Sequence, residues 1–385
     1  MERYDVGIVG AGVHGAAAAY HLSTRPLRIV IFDRETPAGG PTGRSSAVCR
    51  AYYTNEFLAR AAHESIDMMA RFPEITGGHE SDLVRTGLLF LHPPEDEDGV
   101  RATAARLNEI GIVVELYDLD ELEERHPAFN LDGLGLGAWE ANAGYADPVA
   151  VTTGLFQHAV EHGVTPRTGT SVRRIEARPE GGARLEPFDG EVVDCDRLLI
   201  AAGPWTGPLA EQVGVRLPLT VERHVVATFR WGTARPVVGH ADLVGGYYMR
   251  NESTDQFLMG PVHPAPQADP DDFREAISAD EAEDLAARVI HRVPRLEDAE
   301  PTGGWASLYD VSPDWQPVIG EIAPGIFVDA GTSGHGFKVA PALGRHVADL
   351  MLGEEGDPAI HDFHPRRFAE GQQLAAGYRD ARILG

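Results

Sequence analysis

The stretch YDVGIVGAGVHG, Tyr4 to Gly15, constrains the fold more than any other part of this sequence. Its apolar start reads as a strand buried on both faces, the habit of a parallel sheet. Gly10-x-Gly12-x-x-Gly15 follows, and then an Ala-rich helix to about Ser23. LRIVIFDR, Leu27–Arg34, reads as the next strand and carries Asp33 near its end. In a βαβ dinucleotide unit the first glycine turns the chain, the second lets the backbone approach a pyrophosphate, and the third lets helix and strand pack. Unpaired N–H groups at the helix start then face the phosphates, with His14 in the first turn. Asp33, about twenty residues past the glycines, is spaced to accept ribose hydroxyls, with Arg34 beside it.

The remaining pattern predicts what surrounds this unit. A helix is expected over Asn55–Phe72, a strand in TGLLFLHP, a helix over Asp98–Ile110 and a strand in IVVELYD; DLDELEERHP is a polar run without an assigned element. Pro148 opens a helix to about His162. SVRRIEAR, starting near Val172, and GARLEPFDG alternate like paired strands, and RLLIAAGPW is another buried strand running into Ala202, Gly203 and Trp205. LPLTVERHVVATFR, GGYYMRN and DQFLMGPVH alternate over longer runs, as antiparallel strands do. Ser278 and Glu281 stand in capping-box register before a further helix. GIFVDAG is a late buried strand, and FKVAPALGRHVADLML the closing helix.

Nucleotide-type elements thus fall at the start, middle and end, with alternating strands between. The expected fold is α/β plus α+β: a Rossmann-like lobe with an inserted substrate lobe on a large antiparallel sheet. The boundaries read as 1–84, 146–216 and 318–385 for the first lobe, and 85–145 and 217–317 for the second. The active site is expected between them.

Composition narrows the partners. A net charge of −26 argues against nucleic acid and anionic membranes. The two cysteines, Cys49 and Cys195, are far apart and outside any CxxC spacing, so no disulfide framework or structural zinc site is expected, and a reducing cytoplasm fits. The first apolar run, interrupted by glycines and histidines, is neither a signal peptide nor a membrane span. No second GxGxxG follows a strand, which disfavours a separate nicotinamide site, and the glycine-rich loop GTSGHG before the closing helix favours a flavin.

The sequence resembles the FAD-dependent amino-acid and amine oxidoreductases that include sarcosine oxidase, glycine oxidase, D-amino-acid dehydrogenase and dimethylglycine dehydrogenase. The likeness lies in DVGIVGAGVHG, PTGRSSAVCRAYY, GYADPVAV, LLIAAGPWT, SPDWQPVIG and GTSGHGFKVAPALG, in that order along the chain. It implies non-covalent FAD held by Gly10, Gly12, His14, Gly15, Asp33 and Arg34; by Arg44, Ser45 and Ser46; by Val172, Ala202, Gly203 and Trp205; and by Gly334, His335, Gly336, Phe337 and Lys338. It further implies oxidation of a substrate CH–N bond by hydride transfer to flavin N5, giving an imine that water hydrolyses. The expected substrate is a small N-alkylated, cyclic or D-amino acid, and the electron acceptor is oxygen or another carrier. A non-catalytic flavoprotein on the same fold is the alternative.

Lys338 is the only lysine in the chain. The resemblance assigns it, with Arg50, to the substrate carboxylate, and a thin ammonium stem suits a crowded glycine loop better than a guanidinium fork. A position nearer flavin N1 is the other functional reading. Tyr248 and Arg250 alternate onto one strand face that can line the substrate cavity, and His224 and His263 are candidates to orient the amine or take its proton. Relatives that bond the flavin through cysteine carry it where this chain has Ser307. The extra lysine that sarcosine oxidases set over the flavin is replaced by Leu258 or Met259, which favours a dehydrogenase over an oxidase.

Overall fold

A computed structural model describes residues 2–233 and 236–375. Met1 and 376–385 of the expected first lobe, and Ala234–Arg235 of the inserted one, lie outside the described residues.

Two eight-stranded sheets organise the chain. In the first, Thr165–Thr168, Ile29–Asp33, Glu2–Val9, Val193–Ile200 and Ile326–Ala330 run side by side and parallel. Val318–Ala323 closes one edge antiparallel, and the hairpin Val172–Ala177/Ala183–Pro187 joins the start of Val193–Ile200. Its middle strands read as unbroken apolar runs because both faces are covered: Ile8, Ile31, Leu199 and Val328 are all fully buried. On one face the first helix, Val13–Leu22, packs against the closing helix, Gly336–Leu352. Small residues allow the approach, since a Cβ on Gly344 would lie 2.6 Å from the backbone of Ala17.

The second sheet runs in the order Glu300–Val311, Thr220–Arg230, Gln256–Pro261, Tyr247–Asn251, His240–Asp242, Leu88–His92, Leu136–Glu140 and Glu115–Tyr117. All neighbours are antiparallel except His240–Asp242 beside Leu88–His92. Tyr247 and Met249 face outward onto Leu285 and Val289 of the helix Ala279–Arg292. Tyr248 and Arg250 therefore take the opposite, inner face. The Ser278/Glu281 capping box forms at the start of that helix. A second box, Asp118 with Glu121, starts the helix Leu119–Arg125 within the polar run that sequence reading left unassigned. No described helix is long and apolar enough to cross a membrane.

Candidate functional site

A cleft opens where the parallel strands end, between the first sheet and the inner face of the second. Gly10, Gly12, His14, Asp33 and Arg34 line one end of it. Gly10 has φ 111°, and a Cβ there would lie 2.2 Å from Ala201 O, so only glycine makes this turn. Gly15 is not in the wall; a Cβ on it would meet Gly10 O at 1.9 Å, which makes it the close-packing glycine between helix and strand. A Cβ on Gly12 would meet only Thr42 Oγ1, at 3.1 Å, so this side of the turn is an open cradle at a helix start whose N-cap residue has no side chain to cap it, with the Val13 N–H donating to Thr42 Oγ1 at 3.3 Å. That is the fit a pyrophosphate needs. Asp33 accepts the N–H groups of Ala11 at 2.6 Å and Glu35 at 2.8 Å. Burial raises its pKa against those two bonds.

Arg44, Ser45, Ser46, Val172, Ala202, Gly203 and Trp205 continue the wall, and the Arg34 guanidinium stacks 3.8 Å over the Trp205 ring. Ser307 lines the cleft too, whereas neither cysteine does. Burial pushes both thiols up to about 12. The residues thus fit FAD, with no thiol presented to it.

At the inner end stand Gly334, Gly336 and Phe337. His14 Nδ1 lies 2.8 Å from Asp329 Oδ2, and Asp310 accepts the Gly331 N–H at 2.6 Å. Burial alone would lower the His14 pKa, but the Asp329 and Asp310 carboxylates outweigh it and raise it. Sequence reading missed both acids. The available signal was a charge inside the apolar strand GIFVDAG and another at the end of SLYDV. His224 also lines the cleft, its Nε2 3.1 Å from Glu222 Oε2 and its ring stacked 3.9 Å from that of Tyr309. Burial lowers its pKa against the pull of Glu222, which keeps the imidazole neutral. Its Nδ1 is buried without a hydrogen-bond partner among the described residues. Tyr248 faces the same space.

Neither Lys338 nor Arg50 is among the residues that line the cleft; Lys338 follows Phe337, which does line it, and the Arg50 charge acts on the lysine. They are 7% and 4% exposed. No hydrogen bond or ion pair among the described residues involves Lys338, while Arg50 donates to Tyr52 O and lies 4.2 Å over the Tyr53 ring. Burial and the Arg50 guanidinium push the Lys338 pKa down to about 7, slightly opposed by Cys49. Glu140, also missed, fixes this segment by accepting the N–H groups of Ala51 at 2.7 Å and Tyr52 at 2.9 Å. His335 is buried, its ring 5.6 Å from that of Tyr53.

Two expected catalytic residues stand elsewhere. Arg250 is a tether: its Nε donates to Ser46 O at 2.7 Å, it pairs with Glu252 at 2.5 Å and it covers the Tyr145 ring. His263 is exposed on the outer side, near Gly246 and Arg288, because it follows the end of its strand. It does not line the cleft. Leu258 and Met259 are fully buried in the second sheet and do not line the cleft.

The chain is 26% identical to glycine oxidase of Geobacillus kaustophilus over 92% of its length and 94% of that protein. It is 26% identical to sarcosine oxidase subunit beta of Rhodobacter capsulatus over 98% of its length and 92% of that one. Dimethylglycine dehydrogenase of Rattus norvegicus matches at 24% over 99% of the chain, which spans only 46% of that longer protein. Among solved structures, L-proline dehydrogenase from P. horikoshii superposes with a TM-score of 0.87 at 21% identity, covering 97% and 100% of the two chains, a likeness of fold alone. Glycine oxidase from Geobacillus kaustophilus gives 0.81 at 26%, covering 95% and 99%. Residues 5–350 match the model of the FAD dependent oxidoreductase (DAO) family, and the chain belongs to that family of FAD-dependent enzymes.

Proposed function

We propose that this enzyme oxidises the C–N bond of a small amino acid, N-alkylated, cyclic or of D configuration, whose carboxylate binds between Lys338 and Arg50. The observation that carries this reading is the buried Lys338 ammonium beside a second buried cation, with no carboxylate of the described residues bonded to the lysine. An ammonium out of water without a counter-charge is costly, and a ligand carboxylate removes that cost through charge-assisted hydrogen bonds. Holding the acid group at one end restricts where the α-carbon and amine fall. The neutral His224, its Nδ1 without a partner among the described residues, and Tyr248 are the groups we assign to the amine.

FAD, once bound, supplies the two-electron acceptor. The glycine turn, Asp33, Ser45–Ser46 and the loop before Phe337 hold it; Ser307 leaves it without a covalent bond. We assign residues 1–84, 146–216 and 318–385 to the cofactor lobe and the rest to the substrate lobe, a division supported by the strand membership of the two sheets.

The test is anaerobic titration with sarcosine, glycine, proline, D-alanine and the matching amines that lack a carboxylate. Carboxylated substrates should bleach the flavin absorbance and the others should not. Lys338→Met should keep its FAD and raise KM at least about tenfold, equivalent to about 1.4 kcal/mol. An unchanged KM would remove the anchor role. A flavin that no amine bleaches would favour the non-catalytic alternative.

A further inference from the structure

Residues 264–277 leave the second sheet and return to it as a pinned span. At the outgoing end, Ala265 N–H donates to Glu222 Oε2 at 2.9 Å, Arg223 N–H to Pro266 O at 3.0 Å, and Ala268 N–H to Val221 O at 3.0 Å. At the returning end, Ala306 N–H donates to Glu275 O at 2.7 Å, and the Arg223 side chain donates to Arg274 O and Ala276 O.

Between these anchors the chain reaches across to the first sheet. Asp271 Oδ1 accepts the Trp205 indole N–H at 2.9 Å and an Arg34 N–H at 3.1 Å. Arg34 is itself stacked on Trp205, so the three side chains close a ring. Four residues further on, Glu275 pairs with Arg44 at 3.1 Å. The gripped residues, Arg34, Arg44 and Trp205, all line the dinucleotide end of the cleft, and together with the span they wall its outer mouth.

We propose that residues 264–277 are a strap that retains the cofactor, with Asp271 and Glu275 as its fastenings. The chemistry gives the strap two useful states. Unfastened, it leaves Arg34 and Arg44 as free cations at the mouth, where they attract an incoming diphosphate. Fastened, its carboxylates neutralise those cations and close the way out. The fastenings are partly exposed ion pairs, weak enough to open unaided. This inference rests on the FAD of the family and not on the carboxylate anchor, and its readout is cofactor release rather than turnover.

Release is measured by the fluorescence of free FAD after the holoenzyme is diluted into FAD-free buffer. The Asp271→Ala/Glu275→Ala double variant should release FAD about tenfold faster than wild type. Asp272→Ala, which removes a neighbouring acid without a fastening, should release at the wild-type rate. Added NaCl should quicken wild-type release by screening the pairs and quicken the double variant less. Equal rates in wild type and double variant, or equal salt dependence, would overturn the strap. If the double variant does not fold, a wild-type release rate that is flat with salt overturns it, as does flavin that stays with acid-denatured protein.

Discussion

Lys338 carries a pKa of about 7 because it is buried beside Arg50, so its charge changes with pH near neutrality. A bound carboxylate favours the ammonium and raises that pKa again. We therefore predict that kcat/KM for a carboxylated substrate falls as pH rises through about 7, and that Lys338→Met abolishes this limb of the profile. The same depression has a stability sign. Between about 7 and the ordinary lysine value the unfolded chain binds the proton that the folded chain has lost, so the lysine's penalty on folding fades as pH rises. Thermal melts of the apoprotein should thus show wild type gaining on Lys338→Met from pH 7 to 9. At this scale the sequence made Lys338 and Arg50 visible, because a lone lysine in a glycine-rich loop and a matching motif are local signals. Asp310, Asp329 and Glu140 were hidden, because the importance of a buried acid depends on partners far along the chain.

The helix that presents Lys338 runs unbroken through Pro341, whose ring removes a backbone N–H. Ser65, fully buried on the helix Glu56–Ala70, bonds to the same turn: its Oγ donates to Val339 O at 3.1 Å and accepts the Ala342 N–H at 3.0 Å. His21 Nε2 lies 2.8 Å from Pro341 O on the other side. Ser65→Ala should lower stability by about 1–3 kcal/mol, the cost of stranding buried backbone groups, as read from denaturant melts. The glycine turn separates two failures in the same way. Gly12→Val should fold yet purify without flavin, shown by loss of absorbance near 450 nm, since its side chain enters the open cradle. Gly15→Ala should melt earlier, by about 3 kcal/mol of overpacking, since its Cβ meets Gly10 O. The first strand, the glycine turn and the closing helix were readable because each has a periodicity of its own. The helix Leu119–Arg125 was overlooked because its charged surface gives almost no apolar period, although its capping box was there to be read.

Across the whole molecule, the order of nucleotide-type and alternating segments was enough to expect two sheets and a cleft between them. It could not reveal what spans the cleft. Arg250 with Ser46, Arg34 with Asp271 and Arg44 with Glu275 are each separated by more than two hundred residues, and no local pattern encodes such pairs. His263 lies past the end of its strand, where alternation no longer sets the face of a side chain. The first sheet takes strands from 2–33, 165–200 and 318–330, while the second takes them from 88–140 and 220–311. The backbone consequently passes from one sheet to the other four times, like thread through two layers of cloth. Neither layer is a contiguous stretch of polypeptide that could be excised whole, and the seam fixes the gap in which cofactor and substrate must meet.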